Sequence, residues 1–331
     1  MLARLVLLVL GASICVINVA YSAKSADKYY EQGIRLAVKG NLKGAKANFR
    51  SALKINRNYY KALYANIILL DLNQKKLSKK TTSYLFKALS AAEREEYEQA
   101  LSAYAEAIKF NPDYSGIYFN QGNTLLMNEQ TDLAIVALNK AIKLNPKISF
   151  YYVSLASAYF KKRHFNNVVK YSSKVIEMTP GNFEAYLNRA SAYTHMGQYE
   201  TAISDFHKAI RFNPKSSRAY VGRGAAYQKN GQLDLAILEF DKAIKLNPKS
   251  HFAYYNRGAA NYKQGLYKQA IFDYGKVIKL NPYLTSSYKN RGVIYILKLK
   301  NRRLGCADFK KACDLGDCGN YDLAKQKSVC N

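Results

Sequence analysis

The chain has 331 residues, 49% of them hydrophobic, with 29 Tyr, 14 Phe and no Trp. That is enough apolar material for a folded core, which excludes a disordered chain. Lys and Arg number 51 against 23 Asp and Glu, a formal net charge of +28, so the chain repels its own copies and favours acidic partners or anionic surfaces.

The first element is a leader. Arg4 precedes an uncharged apolar run from Leu5 to Ile17, and the small residues Ala20, Ser22 and Ala23 follow. Residues 1–23 read as a secretory signal, with cleavage after Ser22 and retention as an N-terminal inner-membrane anchor as the two alternatives. Cys15 follows Ile14, where a lipoprotein signal needs a small residue. This leader places the chain outside the cytoplasm, periplasmic or extracellular.

Residues 26–59 read as a first, divergent helix pair, with Tyr29, Gly33, Gly40, Ala45, Phe49 and Ala52 in order. Residues 60–80 read as an insertion, an apolar helix-like run ending in the polar segment Gln74 to Lys80. From 81 to 315 the chain repeats. Its six prolines, Pro112, Pro146, Pro180, Pro214, Pro248 and Pro282, stand at equal intervals. A helix breaker at a fixed interval marks the joints of a repeated helical unit. An aromatic recurs at Tyr84, Tyr118, Tyr152, Tyr186, Tyr220, Tyr254 and Tyr288, each followed one helical turn later by Ala or Gly. Apolar residues at three- and four-residue spacing in each half predict two amphipathic helices per unit. Asn-Pro ends the second helix, because the residue before proline is pushed out of the α region.

The order aromatic, small, Tyr, Gly, Ala, Phe, Ala, Pro resembles the tetratricopeptide repeat family, most fully at Tyr186, Ala190, Tyr193, Gly197, Ala202, Phe206, Ala209 and Pro214. The resemblance covers about Ala26 to Leu315, with Tyr in place of the family's Trp. It implies an all-α fold, a right-handed superhelical solenoid of stacked antiparallel helix pairs, and a role in holding protein or peptide partners. Two departures stand out. The first unit has Arg57 where proline belongs, and the last carries one extra residue, so that Asp308 and Phe309 arrive late.

Residues 316–331 form a Cys-rich end. In an exported chain, Cys306, Cys313, Cys318 and Cys330 imply disulfides, with three possible connectivities. A turn near 315–320 that returns a final helix favours Cys306–Cys330 with Cys313–Cys318, and the other two pairings stay open. A zinc set lacks any CxxC pair.

Arg189, Arg223, Arg257 and Arg291 recur one residue before the small position. Asp205, Glu239 and Asp273 follow the first three at one constant interval, and Asp308 takes that role in the shifted last unit. Units without the Arg lack the acid, so the series reads as internal ion pairs between the two helices of a unit. Asn120, Asn188, Asn256 and Asn290 precede the small position by two, interrupted by Ser154 and Gly222. In the family this slot faces the concave groove, and a row of Asn there is suited to holding a peptide backbone. Phe119, Phe252, Tyr255, Lys229 and Lys263 are expected beside it, a surface for an acidic, partly apolar segment.

Much of the Lys excess sits in last helical turns, where cations complement the helix dipole. The outer face stays cationic, so anionic envelope surfaces are an alternative contact. A repeat subunit of a secretion or assembly complex is another reading, while export argues against nucleic acid. His164, His195, His207 and His251 occupy four different repeat slots, and no phosphate loop or nucleophile elbow occurs. The expectation is a non-enzymatic scaffold without a cofactor.

Overall fold

Thirteen residues of helix, a three-residue turn, fourteen residues of helix and a four-residue link make up the 34-residue period, as in Ser115–Met127 followed by Thr131–Leu144. In this computed structural model residues 20–55 and 60–330 are described. The leader reading for 1–23 therefore falls almost wholly outside the described residues, as does Arg57. Among the described residues the secondary structure is entirely helical, and no helix is long and apolar enough to cross a membrane.

Internal packing divides the chain into two units, one ending at Asn188 and one starting at Arg189. The first holds the pairs α1 (Ala20–Val38) with α2 (Leu42–Ile55), α4 (Lys79–Glu93) with α5 (Tyr97–Phe110), α6 (Ser115–Met127) with α7 (Thr131–Leu144), and α8 (Ser149–Lys161) with α9 (Phe165–Met178). Between the first two pairs runs a lone helix, α3 (Tyr60–Asn73). The unit boundary falls within α10 (Phe183–His195). The second unit continues with α11 (Tyr199–Phe212), then α12 (Ser217–Lys229) with α13 (Leu233–Leu246) and α14 (His251–Lys263) with α15 (Tyr267–Leu280). It ends with α16 (Thr285–Val293), α17 (Arg302–Asp314) and α18 (Gly319–Gln326).

The repeat positions have physical reasons. In α11 the buried residues Ala202, Asp205, Phe206 and Ala209 keep helical spacing and face the partner helix. Gly224 in α12 is small because a Cβ there would lie 2.6 Å from the Phe240 ring. The Tyr118 hydroxyl donates to the carbonyl of Pro112 at 2.9 Å, and Tyr152 does the same to Pro146 at 3.1 Å. Tyr thus supplies both the apolar ring and a bond that closes the link. Asn145 Oδ1 accepts from the Lys147 amide at 3.3 Å and Asn247 Oδ1 from Lys249 at 3.1 Å, an Asx turn spanning the proline.

The extra residue of the last repeat is absorbed by a π-helical turn, Ile294–Lys298, that continues α16. One residue inserted into a helix without breaking it is what a π-bulge accommodates. Arg291 and Asp308 still meet across a separation of 17 residues.

Every turn between the helices of a pair has one left-handed residue. Gly197, Gly231 and Gly265 hold φ near +80°, whereas Glu95, Glu129 and Arg163 hold +60° with a side chain present. A side chain in that region costs about 1 kcal/mol. Glu129→Gly is therefore expected to stabilise the chain by roughly 0.5–1 kcal/mol, read as a raised urea midpoint at unchanged slope. A lower midpoint would contradict the strain argument.

Candidate functional site

The first helix of each pair presents a stripe whose members recur at four, three and four residues. In the second unit these stripes are Arg218, Gly222, Ala225 and Lys229 on α12, and Phe252, Asn256, Ala259 and Lys263 on α14. Ser286, Asn290, Val293 and Leu297 continue the pattern on α16 and its π turn. None of the twelve is acidic. Phe252 is 44% exposed, and its ring centroid lies 4.1 Å from that of His251. Asn256 donates one amide N–H to the Phe252 carbonyl at 2.9 Å, which fixes the side chain through its own helix. Lys229 and Lys263 are exposed at the ends of their helices.

Gly222 interrupts the Asn row for a packing reason. A Cβ there would meet the Phe206 ring at 2.4 Å, so no Asn is tolerated. Asn290 donates to the Tyr255 hydroxyl at 3.1 Å and the Tyr274 hydroxyl at 3.3 Å, and Tyr255 is half-buried. This amide braces α16 against its neighbours. Burial, then Tyr255, pushes the Tyr274 hydroxyl well above the usual phenol range, and Asn290 only partly offsets the shift.

In the first unit the corresponding face is different. Phe119 is 2% exposed, packed against Phe150 and Tyr151 with centroids at 4.7 and 5.0 Å. Expected on an open groove, it is a core residue. Asn120 is not free either. Its amide donates to the Gly116 carbonyl at 2.6 Å and also to the Tyr64 hydroxyl of α3. On the same helix Asp71 accepts from the Tyr114 hydroxyl at 2.7 Å, and Lys61 pairs with Glu93 at the end of α4. The lone helix therefore lies against the first-helix face at α4 and α6. Ser154 is buried, and Asn188 reaches Ser157 Oγ at 3.4 Å. Burial raises the Tyr64 and Tyr114 hydroxyls well above the phenol range, and Tyr151, bonded to Ser115, is pushed up to about 12. All three stay protonated at neutral pH.

The Arg series lies between the helices of its own repeats. Arg189 grips Asp205 at 2.6 and 3.0 Å, and Arg291 grips Asp308 at 2.9 and 2.8 Å, both bidentate. Arg223 directs two N–H groups to one oxygen of Glu239 at 2.9 and 2.7 Å. Arg257 grips Asp273 at 3.0 and 2.6 Å and also reaches Asp241 at 2.5 Å. Asn261 adds a bond to Asp273 at 3.0 Å. Sequence reasoning missed Asp241 and Asn261, although Asp241 precedes Arg257 by the same interval at which Asp273 follows it. Burial raises the Asp273 carboxyl above the ordinary carboxylate value, with Arg257 and Asn261 drawing it back.

At the C-terminal end α18 packs on α17 through Phe309, Ala324 and Cys330. Cys306 and Cys330 lie at disulfide distance with Cα atoms 5.5 Å apart, and Cys313 and Cys318 likewise at 3.9 Å.

Family models described as tetratricopeptide repeat match residues 183–216, 251–284 and 103–136, and a model described as TPR repeat matches 229–265. No curated protein matches. Among solved structures, a tetratricopeptide repeat protein of Parabacteroides merdae is 21% identical, with 75% of this chain covering 97% of that one at a TM-score of 0.61. PilF of Pseudomonas aeruginosa is 17% identical, with 65% covering 98% at 0.56. The Cut9–Hcn1 hetero-tetramer of the APC/C contains a chain 14% identical, with 98% covering 66% at 0.63. At these identities the structures speak for the fold alone. The repeated signature, the stacked helix pairs and the matching models make the chain a tetratricopeptide repeat protein, a scaffold of the protein-interaction class.

Proposed function

We propose that the chain is a non-enzymatic scaffold of the cell envelope that holds an extended, acidic and partly apolar segment on the first-helix face of its second unit. On this reading residues 26–59 and 81–315 are repeats, 60–80 an insertion and 316–331 a cap, and both cysteine pairs are disulfides of an exported protein. The observation that supports it best is the α14 stripe, where an exposed Phe252 stands beside an oriented Asn256 and the exposed Lys263. An Asn amide bonds to a peptide backbone whatever its side chains, the ring supplies apolar area, and Lys229 and Lys263 set the preference for acid. Asn120 and Asn290 are committed to neighbouring hydroxyls, and Phe119 is buried, so these three leave the binding set.

A photoreactive phenylalanine analogue tests this in intact cells. Placed at 252 it is expected to form an adduct with a partner, and placed at the buried position 119 it is expected to form none. Asn256→Ala with Lys229→Ala should reduce the adduct by about tenfold, the loss of roughly 1.4 kcal/mol. Adducts unaffected by that pair of substitutions would refute the stripe as the contact.

A further inference from the structure

From the π turn after α16 into the first turn of α17 the chain reads Leu-Lys-Leu-Lys-Asn-Arg-Arg-Leu over residues 297–304. Leu297 is 57%, Leu299 44% and Leu304 37% exposed. Lys298, Lys300, Arg302 and Arg303 are exposed among them. Scattered surface leucines need no explanation. Three in so short a stretch, interleaved with four cations, do.

The tip is held in this form. The π turn Ile294–Lys298 takes up the extra residue within the helix, the connection keeps three residues, and Lys300 takes the left-handed position at φ +54°. The Asn301 amide donates to the Tyr295 carbonyl at 2.8 Å, and Asn301 Oδ1 caps α17 through the Leu304 amide at 3.1 Å. Gly305 lies so close beneath that a Cβ would fall 2.3 Å from Ile296 Cγ1. Packing thus closes the base beneath the exposed leucines.

The charge around the tip has one sign. No Asp or Glu occurs between Asp273 and Asp308. Asp308 is taken by Arg291 and Asp317 by Lys289 at 2.8 Å. Two other exposed apolar pairs have an acid beside them. Leu235 and Leu238 on α13 follow Asp234, and Leu133 and Val136 on α7 follow Asp132.

We propose that residues 297–304 dock the chain on an anionic phospholipid surface, with the leucines at the acyl boundary and the four cations at the headgroup phosphates. Apolar area combined with clustered Lys and Arg is the chemistry that binds such an interface. Charge alone would suit an acidic polypeptide, and it is the three exposed leucines among the cations that favour the acyl boundary of a bilayer.

The absence of Trp supplies the test. In the full chain, Leu299→Trp creates a single indole emitter. Its emission is expected to move to the blue with vesicles of phosphatidylglycerol and phosphatidylcholine, and to stay in place with phosphatidylcholine alone. Leu297→Ser with Leu304→Ser in the same reporter should weaken partitioning by at least about tenfold. A second reporter, Leu235→Trp, should not respond. The proposal is overturned by an unresponsive indole in the Leu299→Trp chain. An equal response in the Leu235→Trp chain, which signals adsorption by bulk charge, overturns it too. So does an equal shift with polyglutamate, which signals an acidic polypeptide partner.

Discussion

Asp273→Ala is expected to lower the unfolding free energy of the second unit by about 3–5 kcal/mol. Asp273 is 1% exposed and holds Arg257 by two bonds and Asn261 by a third. Removing it leaves a guanidinium in a half-buried slot with only the more exposed Asp241 as counter-charge. The cost comes from a guanidinium left with a single, exposed counter-charge and from the space left by the carboxylate, and the lost attraction adds little. That distinction is itself testable. Arg257→Met combined with Asp273→Leu removes both charges and fills the volume, so it is expected to stay within about 1–2 kcal/mol of the parent. Lys174→Ala, which breaks an exposed pair with Glu177, should change stability by less than about 1 kcal/mol. Urea denaturation followed by hydrogen exchange in α14 and α15 separates the three. If Asp273→Ala matched Lys174→Ala, the brace would contribute no more than a surface pair. If the double variant were as poor as the single one, specific geometry would matter more than buried charge.

What the sequence reveals of this fold follows from its periodicity. A proline once per repeat and a Tyr at constant offset specify where helices end and which face packs, because those requirements are local to one repeat. The Arg-to-acid interval is legible for the same reason, since both partners belong to one helix pair. The candidate site is less legible because its exposure depends on segments remote in sequence. Asn120 occupies a slot equivalent to Asn256, yet Tyr64, 56 residues earlier, takes its amide. No repeat pattern reports that α3 lies there. Phe119 occupies an equivalent slot to Tyr255, and the neighbouring pair Phe150 and Tyr151 buries it. The late arrival of Asp308 is visible as a shift of one residue. The π turn that absorbs it depends on helix geometry.

Removing the longer cysteine link, with Cys306→Ser and Cys330→Ser, is expected to cost about 3 kcal/mol if that pair is a disulfide, as proposed. The two residues are 24 apart, and closing a loop of that size restricts the unfolded chain by roughly 3.5 kcal/mol in the chain-entropy account. Cys313→Ser with Cys318→Ser, only five residues apart, should cost less, about 2 kcal/mol. The effects should also differ in place. α18 has eight residues, too few to persist as an isolated helix, and rests on α17 through the small cluster of Phe309, Ala324 and Cys330. Loss of the longer link should therefore abolish exchange protection in α18 while α12 to α15 keep theirs, because each repeat is stabilised by its neighbours and only the terminal one is uncovered. Reduction with dithiothreitol should reproduce that pattern in the parent chain. Alkylation without reductant decides whether the links exist at all. Four cap thiols open to reagent in freshly isolated full-length protein would contradict both the links and the exported setting, whereas thiols that open only after reduction leave the cap as a covalent end to the helical stack.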